Sequence, residues 1–307
     1  MRDLLSSPFV QPVSDKLNAD LERMKSSELI HLHAPANLEG LLAMGQLEAA
    51  CLDAGIKYRR RFYLPKHHRP RDESLDIQSP SVGVNVLIDS EEDTWQAEDR
   101  SDEGDVQIVP LATSVQMGTQ HHIHHGSLDC VIQCAAIAAL LAPNGRRVRK
   151  LRPYLSLGLW LRGALDTSLD PIHSSALLHL KEEGSIRLVP LPEVSEPRKG
   201  MIPHLPERRL VKLQKAWPGM NVDERKQALS ELILPCLSDS SLSTPRLEEL
   251  VWKRMIVGQE AIDLASQADA LRDAWPIDAD ASRLYASQRL DDWLRTGSLM
   301  LQDEATV

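Results

Sequence analysis

The chain has 307 residues, enough for one large core or two smaller ones. A formal charge of -9 argues against holding duplex nucleic acid through a broad basic surface, and leaves room for a local basic patch. Hydrophobic residues make up 42% but aromatics only 4%, so aliphatic side chains must do most of the packing; no apolar run reaches the roughly 18 residues of a membrane span, and the start of the chain lacks the pattern of a secretory leader.

In chain order, residues 14–26 (SDKLNADLERMKS) predict a helix with Ser14 as N-cap and Leu17, Leu21 and Met24 on one face. Residues 28–63 then read as strand, loop, helix and strand. Residues 28–32 are a short apolar strand, 33–38 a polar loop, and 39–54 a helix with Leu41, Leu42, Leu47, Ala50 and Cys51 at helical spacing; Gly55 stands at the C-cap. Such a βαβ unit implies a right-handed crossover and a parallel sheet, with ligands expected at the carboxyl ends of its strands. Residues 64–81 are polar and proline-marked, 82–89 a buried strand ending in Asp89, 90–105 an acidic loop, and 106–111 another strand.

The middle of the chain predicts helices over 127–141, with Ser127 as N-cap, over 151–165, and over 172–182 closed by Gly184. A proline-rich linker at 193–205 precedes helices at 206–216, 222–235, 245–274 and 280–296. The expected division is an α/β domain over 1–192, with a mostly parallel five-stranded sheet and flanking helices, and a helical region over 193–307. The cysteines Cys51, Cys130, Cys134 and Cys236 show no paired spacing, so a reducing, cytoplasmic location is expected. Cys130 and Cys134 fall on one helix face as core residues.

The chain contains no Walker loop, GxGxxG, GxSxG, HExxH or CxxC pattern. His121, His122, His124 and His125 in TQHHIHHGS offer imidazoles for a metal, or else form a surface loop; His67 and His68 can join them only if the fold brings them together. Asp89 reads either as a metal-binding carboxylate at a strand end or as a turn residue. Asp166 and Asp170 end an apolar helix. The basic runs Arg59, Arg60, Arg61 and RRVRK at 146–150 either meet single-stranded DNA or are solvated faces.

Order and context resemble the DHH phosphoesterase superfamily, specifically archaeal RecJ-like proteins, over about residues 15–275. The family opens with a strand and a loop H-x-D-A-D-G-x-x-A; HLHAPANLEGLLA, aligned on Gly40, sets Asn37 and Glu39 at the family's two metal-binding aspartates and Pro35 at its histidine. VNVLIDS supplies Asp89 for the next motif. VQIVPLA sets Pro110, Leu111 and Ala112 where the family has D-H-H, and LWLRGALDTS resembles the later G-A-[VI]-x-D, with Asp166 one position early. HHGSLDCVIQCAAIAALL resembles the helix between these motifs, and GMNVDERKQALSELILPCL the family's helical insert; the family's C-terminal nucleic-acid-binding domain has no counterpart.

The family cuts phosphodiesters with two divalent metals about 3.5–4 Å apart. Pro, Leu and Ala cannot ligate at the D-H-H position, and Glu39 with Asp89 cannot hold two metals. The resemblance therefore implies a catalytically inactive scaffold of the DNA replication machinery, without a resident cofactor, contacting the GINS complex and the MCM helicase as the family's relative in the eukaryotic CMG helicase does. The alternative it implies is an active Mn²⁺- or Mg²⁺-dependent single-stranded DNA exonuclease or phosphoesterase with an altered metal site.

Overall fold

A computed structural model describes residues 3–65, 77, 80–90, 105–162, 166, 168–239 and 241–300. His67, His68 and most of the acidic loop lie outside these residues. The chain forms two compact units. The first comprises Met1–Leu161, Pro171–His179 and Leu271–Val307; the second comprises Arg162–Asp170 and Leu180–Ala270. The expected boundary at 192–193 falls inside the second unit, and the last helix belongs to the first.

In the first unit, α1 (Ser14–Lys25) is followed by β1 (Ile30–Pro35), α2 (Leu38–Ala54), β2 (Tyr58–Tyr63), β3 (Val84–Ile88) and β4 (Val106–Ile108). These strands form a parallel sheet in the order β2-β1-β3-β4. Among the described residues this sheet has four strands, not five. The segment expected as one strand over 106–111 stops at Ile108, because Pro110 brings no N–H to a ladder. Beyond it, β5 (Leu111–Met117) turns back through Gly118 and His121, both at positive φ, and pairs antiparallel with β6 (His122–Leu128).

One face of the sheet is apolar. Ile30, Leu32 and Ala34 of β1, Val86 and Ile88 of β3, and Val106 and Ile108 of β4 are buried there, beneath α2 and α3 (Cys130–Leu141). α2 is buried around almost its whole circumference, as befits a central helix. Its neighbours are α3, α4 (Arg146–Leu151), α5 (Ser156–Leu161) and the C-terminal α11 (Ala279–Thr296). The helix expected over 151–165 is a 3₁₀ turn, Arg152–Leu155, followed by α5; Pro153 keeps α4 from running on. Trp293 of α11 is fully buried, edge-on to Tyr154 at 5.1 Å and so close to α2 that a Cβ on Gly45 would lie 2.2 Å from its ring.

In the second unit, β7 (Arg187–Val189) pairs antiparallel with β8 (Arg254–Ile256). Between them lie α7 (Glu207–Ala216), α8 (Val222–Ile233) and α9 (Thr244–Trp252), and α10 (Leu264–Asp273) starts within this unit after β8. The helix expected over 245–274 is thus two helices with a strand between them. α6 (Pro171–Glu182) opens in the first unit and ends in the second.

Candidate functional site

The carboxyl edge of the parallel sheet is where a fold of this kind places a ligand. β1 runs on to Pro35, so His33 and Pro35 are strand residues, where a loop was expected over 33–38. The chain then turns tightly into α2. Asn37 is the N-cap, and its Oδ1 accepts from Gly40 N at 2.7 Å. Gly40 has to be glycine, because a Cβ would lie 2.2 Å from Pro35 O. The carbonyl of Ala36 accepts from Trp275 Nε1 at 3.1 Å and from Ser282 Oγ at 2.8 Å. Pro35 and Ala36 are buried as a result. The loop that the sequence marks as a ligand site is therefore closed by side chains from the end of the chain.

Asp89 follows β3, and its N–H donates to Ile108 O at 2.9 Å. Beside it, the Cys130 thiol lies 3.5 Å from Asp89 O and 3.3 Å from Ile108 O. Burial pushes that thiol well up, and the negative charges of Glu39, Asp129 and Asp89 add to the effect. The thiol thus acts as a hydrogen-bond donor to these two carbonyls. Asp129 is the true N-cap of α3, accepting from Ile132 N at 2.7 Å; Ser127, expected in that role, belongs to β6. Gly158 of α5 packs so close that a Cβ would lie 2.1 Å from Asp129 Oδ2.

At this edge the negative charges of Glu39, Asp89 and Asp129 all act on Cys130, and Asn37 stands at the neighbouring helix start. Sequence reading missed Asp129, although an aspartate just before an apolar helical run is an N-cap signal. These residues do not fit a two-metal cage. Asn37 and Asp129 each commit an oxygen to a helix N-terminus. Among the described residues, no three His, Cys, Asp or Glu side chains are grouped to hold a metal ion. Pro110 is buried beyond β4, and Leu111 and Ala112 open β5. Asp166 is a residue of the second unit, where its Oδ1 accepts from Arg246 Nε at 2.7 Å.

His121, His122, His124 and His125 are all exposed at the end of the β5-β6 hairpin. His122 and His124 stand opposite Met117 and Val115 on one side, and His125 opposite Ser114 on the other. The pleat thus separates imidazoles that are adjacent in sequence.

The basic run on β2 is divided in the same way. Arg60 reaches Glu48 at 3.0 Å and Asp291 at 2.6 Å, and Glu48 also accepts from Tyr58 OH at 2.7 Å. Arg60 is thus engaged within the first unit, unlike its two neighbours in the run. Arg59 and Arg61 are exposed on the opposite face of this edge strand, in register with His31 and His33. That face is polar, which is unusual for a parallel sheet. His33 is buried, with Nε2 3.2 Å from Asn85 Oδ1, and Asn85 Nδ2 donates to Asp105 at 3.2 Å.

No helix among the described residues is long and apolar enough to cross a membrane. Compared with known proteins, the sequence matches no protein-family model and no curated protein.

Proposed function

We propose that this chain is a non-catalytic, RecJ-like scaffold of the DNA replication machinery, working in the cytoplasm and contacting the GINS complex and the MCM helicase. The partners come from the sequence resemblance to DHH phosphoesterases. The observation that carries the loss of catalysis is the closed loop after β1, with Ala36 O held by Trp275 and Ser282 and Asn37 engaged as a helix cap. The parallel order β2-β1-β3-β4, with a βα loop and an aspartate at its carboxyl edge, is compatible with a DHH core that has a shortened sheet. The purified chain is expected to leave a single-stranded DNA oligonucleotide intact with Mn²⁺ or Mg²⁺, and to co-purify with GINS and MCM subunits from its own source. Failure to bind either complex would overturn the scaffold role.

A second reading, a metal-dependent exonuclease or phosphoesterase, is favoured by the negative charge that Glu39, Asp89 and Asp129 bring to the carboxyl edge of the sheet. Mn²⁺-dependent cleavage that disappears in Asp89→Ala would establish it in place of the first.

A further inference from the structure

The second unit contains a cavity of about 810 Å³ between the segment 191–205, α7 and β8. That volume suits a small organic molecule. Leu191, Met201, Ile202, Leu210 and Val211 supply apolar wall. The charged lining is one-sided: Arg198, Lys199, Arg208, Lys212 and Arg254 against Glu196 and Glu207, in a chain whose formal charge is -9. Arg198 is held by Asp269 at 2.8 Å and Lys199, 82% exposed, lies 3.9 Å from Glu207, whereas Arg208 and Lys212 are exposed on α7.

Arg254 sets this cavity apart. It is 1% exposed, and its Nη2 donates to Asp263 Oδ2 at 3.0 Å and to Ser266 Oγ at 2.9 Å. Among the described residues, its Nε and Nη1 meet no hydrogen-bond partner. Buried donors of a charged group are costly to leave unpaired, and such groups mark places where a water, an ion or a ligand completes the set. Asp263 already balances the guanidinium charge and orients it by its own bonds to Ser266. The side chain is therefore held rigidly in the cavity wall with two donors to spare.

From the cavity, the unpaired guanidinium and the cationic rim together, we infer that the second unit binds a small organic anion. A carboxylate or phosphate head meets Arg254, with Lys199, Arg208 and Lys212 around the mouth, and an aliphatic body fills the apolar wall. This site is independent of the reading given for the sheet edge.

The test is calorimetric titration of the full chain with octyl phosphate, octanoate, octanol and inorganic phosphate. At least one of the two amphiphilic anions is expected to bind, and the stronger head group identifies the ligand class. Octanol and inorganic phosphate are each expected to bind at least about tenfold more weakly, since each lacks one half of the recognition. The exposed double variant Arg208→Ala with Lys212→Ala, its fold checked by circular dichroism, is expected to bind the anion at least about tenfold more weakly. The Arg254 Nε–H resonance is expected to shift on titration. Absence of binding by both anions, equal binding of octanol or of inorganic phosphate, an unaltered double variant, or an Arg254 resonance that does not move would each overturn the proposal. Arg254→Lys gives a further test if it folds, with weakened binding expected; should it not fold, the rim variant and the resonance decide.

Discussion

The Glu48–Arg60 pair shows how a charge run changes meaning once it is folded. Burial pushes the Glu48 carboxyl up, against the pull of Arg60 and the hydrogen bond from Tyr58. Burial also lowers Arg60, but Glu48 and Asp291 outweigh it and hold the guanidinium above its ordinary value. The two ends of the pair thus point in opposite directions. Glu48 is the less exposed end, at 5% against 18%, so desolvation prevails there and the pair adds little net stability. A carboxyl raised in the folded state adds stability below its unfolded value of 4.5, which is lost as pH rises through the folded value. In urea unfolding at neutral pH, Glu48→Gln is expected within about 1 kcal/mol of wild type, and Arg60→Met about 3 kcal/mol lower, because it strands a buried carboxylate. Equal losses in both variants would mean that water solvates Glu48.

His33 gives a pH signature at the same scale. Burial lowers its pKa from 6.5, Arg61 and His31 lower it further, and Asn85 and Asp105 act the other way. The folded protein therefore prefers the neutral ring. Its contribution is complete above pH 6.5 and is lost as pH falls from 6.5 through the lower folded value. Unfolding free energy measured between about pH 7.5 and 5 is expected to fall more steeply in wild type than in His33→Gln. Parallel curves for the two proteins would sink this assignment. The pairing of His33 was not legible in the sequence because it depends on Asn85, 52 residues away.

At the scale of elements, helices with a strong local pattern were legible. α2 is expected at 39–54 and found at Leu38–Ala54, with Gly55 as a left-handed cap. Elements stabilised by distant pairing were not. The hairpin of β5 and β6 hides its histidines in a sequence that reads as a loop, and β8 interrupts an apparently continuous helix because Arg254, Met255 and Ile256 pair with β7. Two substitutions test the packing of these elements. Asp129→Ala is expected to cost about 1–2 kcal/mol in chemical denaturation, through loss of the α3 cap. Gly45→Ala, a gain in helix propensity on its own, is expected to destabilise by about 1–3 kcal/mol because the methyl group meets Trp293. A stabilised Gly45→Ala protein would show that α11 does not pack on α2 in solution.

At the scale of the whole molecule, the end of the chain completes its beginning. Ala286, Leu290 and Trp293 of α11 are fully buried in the first unit, and Tyr154 OH donates to Gly297 O at 2.8 Å. Truncation after Ala274 removes these groups together with Trp275 and Ser282. Such a chain is expected to lose the cooperative unfolding of the first unit and to bind a hydrophobic dye, as measured by thermal denaturation and dye fluorescence. A truncated chain that melts like the full one would contradict this dependence.

The sequence by itself determined the parallel α/β core, the helices α1, α2 and α3, and the positions of Asn37, Glu39 and Asp89 near the sheet's carboxyl edge. Those features follow from period and from local capping, which act over a few residues. Tertiary structure alone decided that Ala36 is capped by Trp275 and Ser282, that Arg60 serves Glu48, and that Arg254, in a cavity wall, has two guanidinium nitrogens without a partner among the described residues. Each depends on which groups meet after the chain has closed on itself, and on how much water is then excluded. No local pattern encodes that.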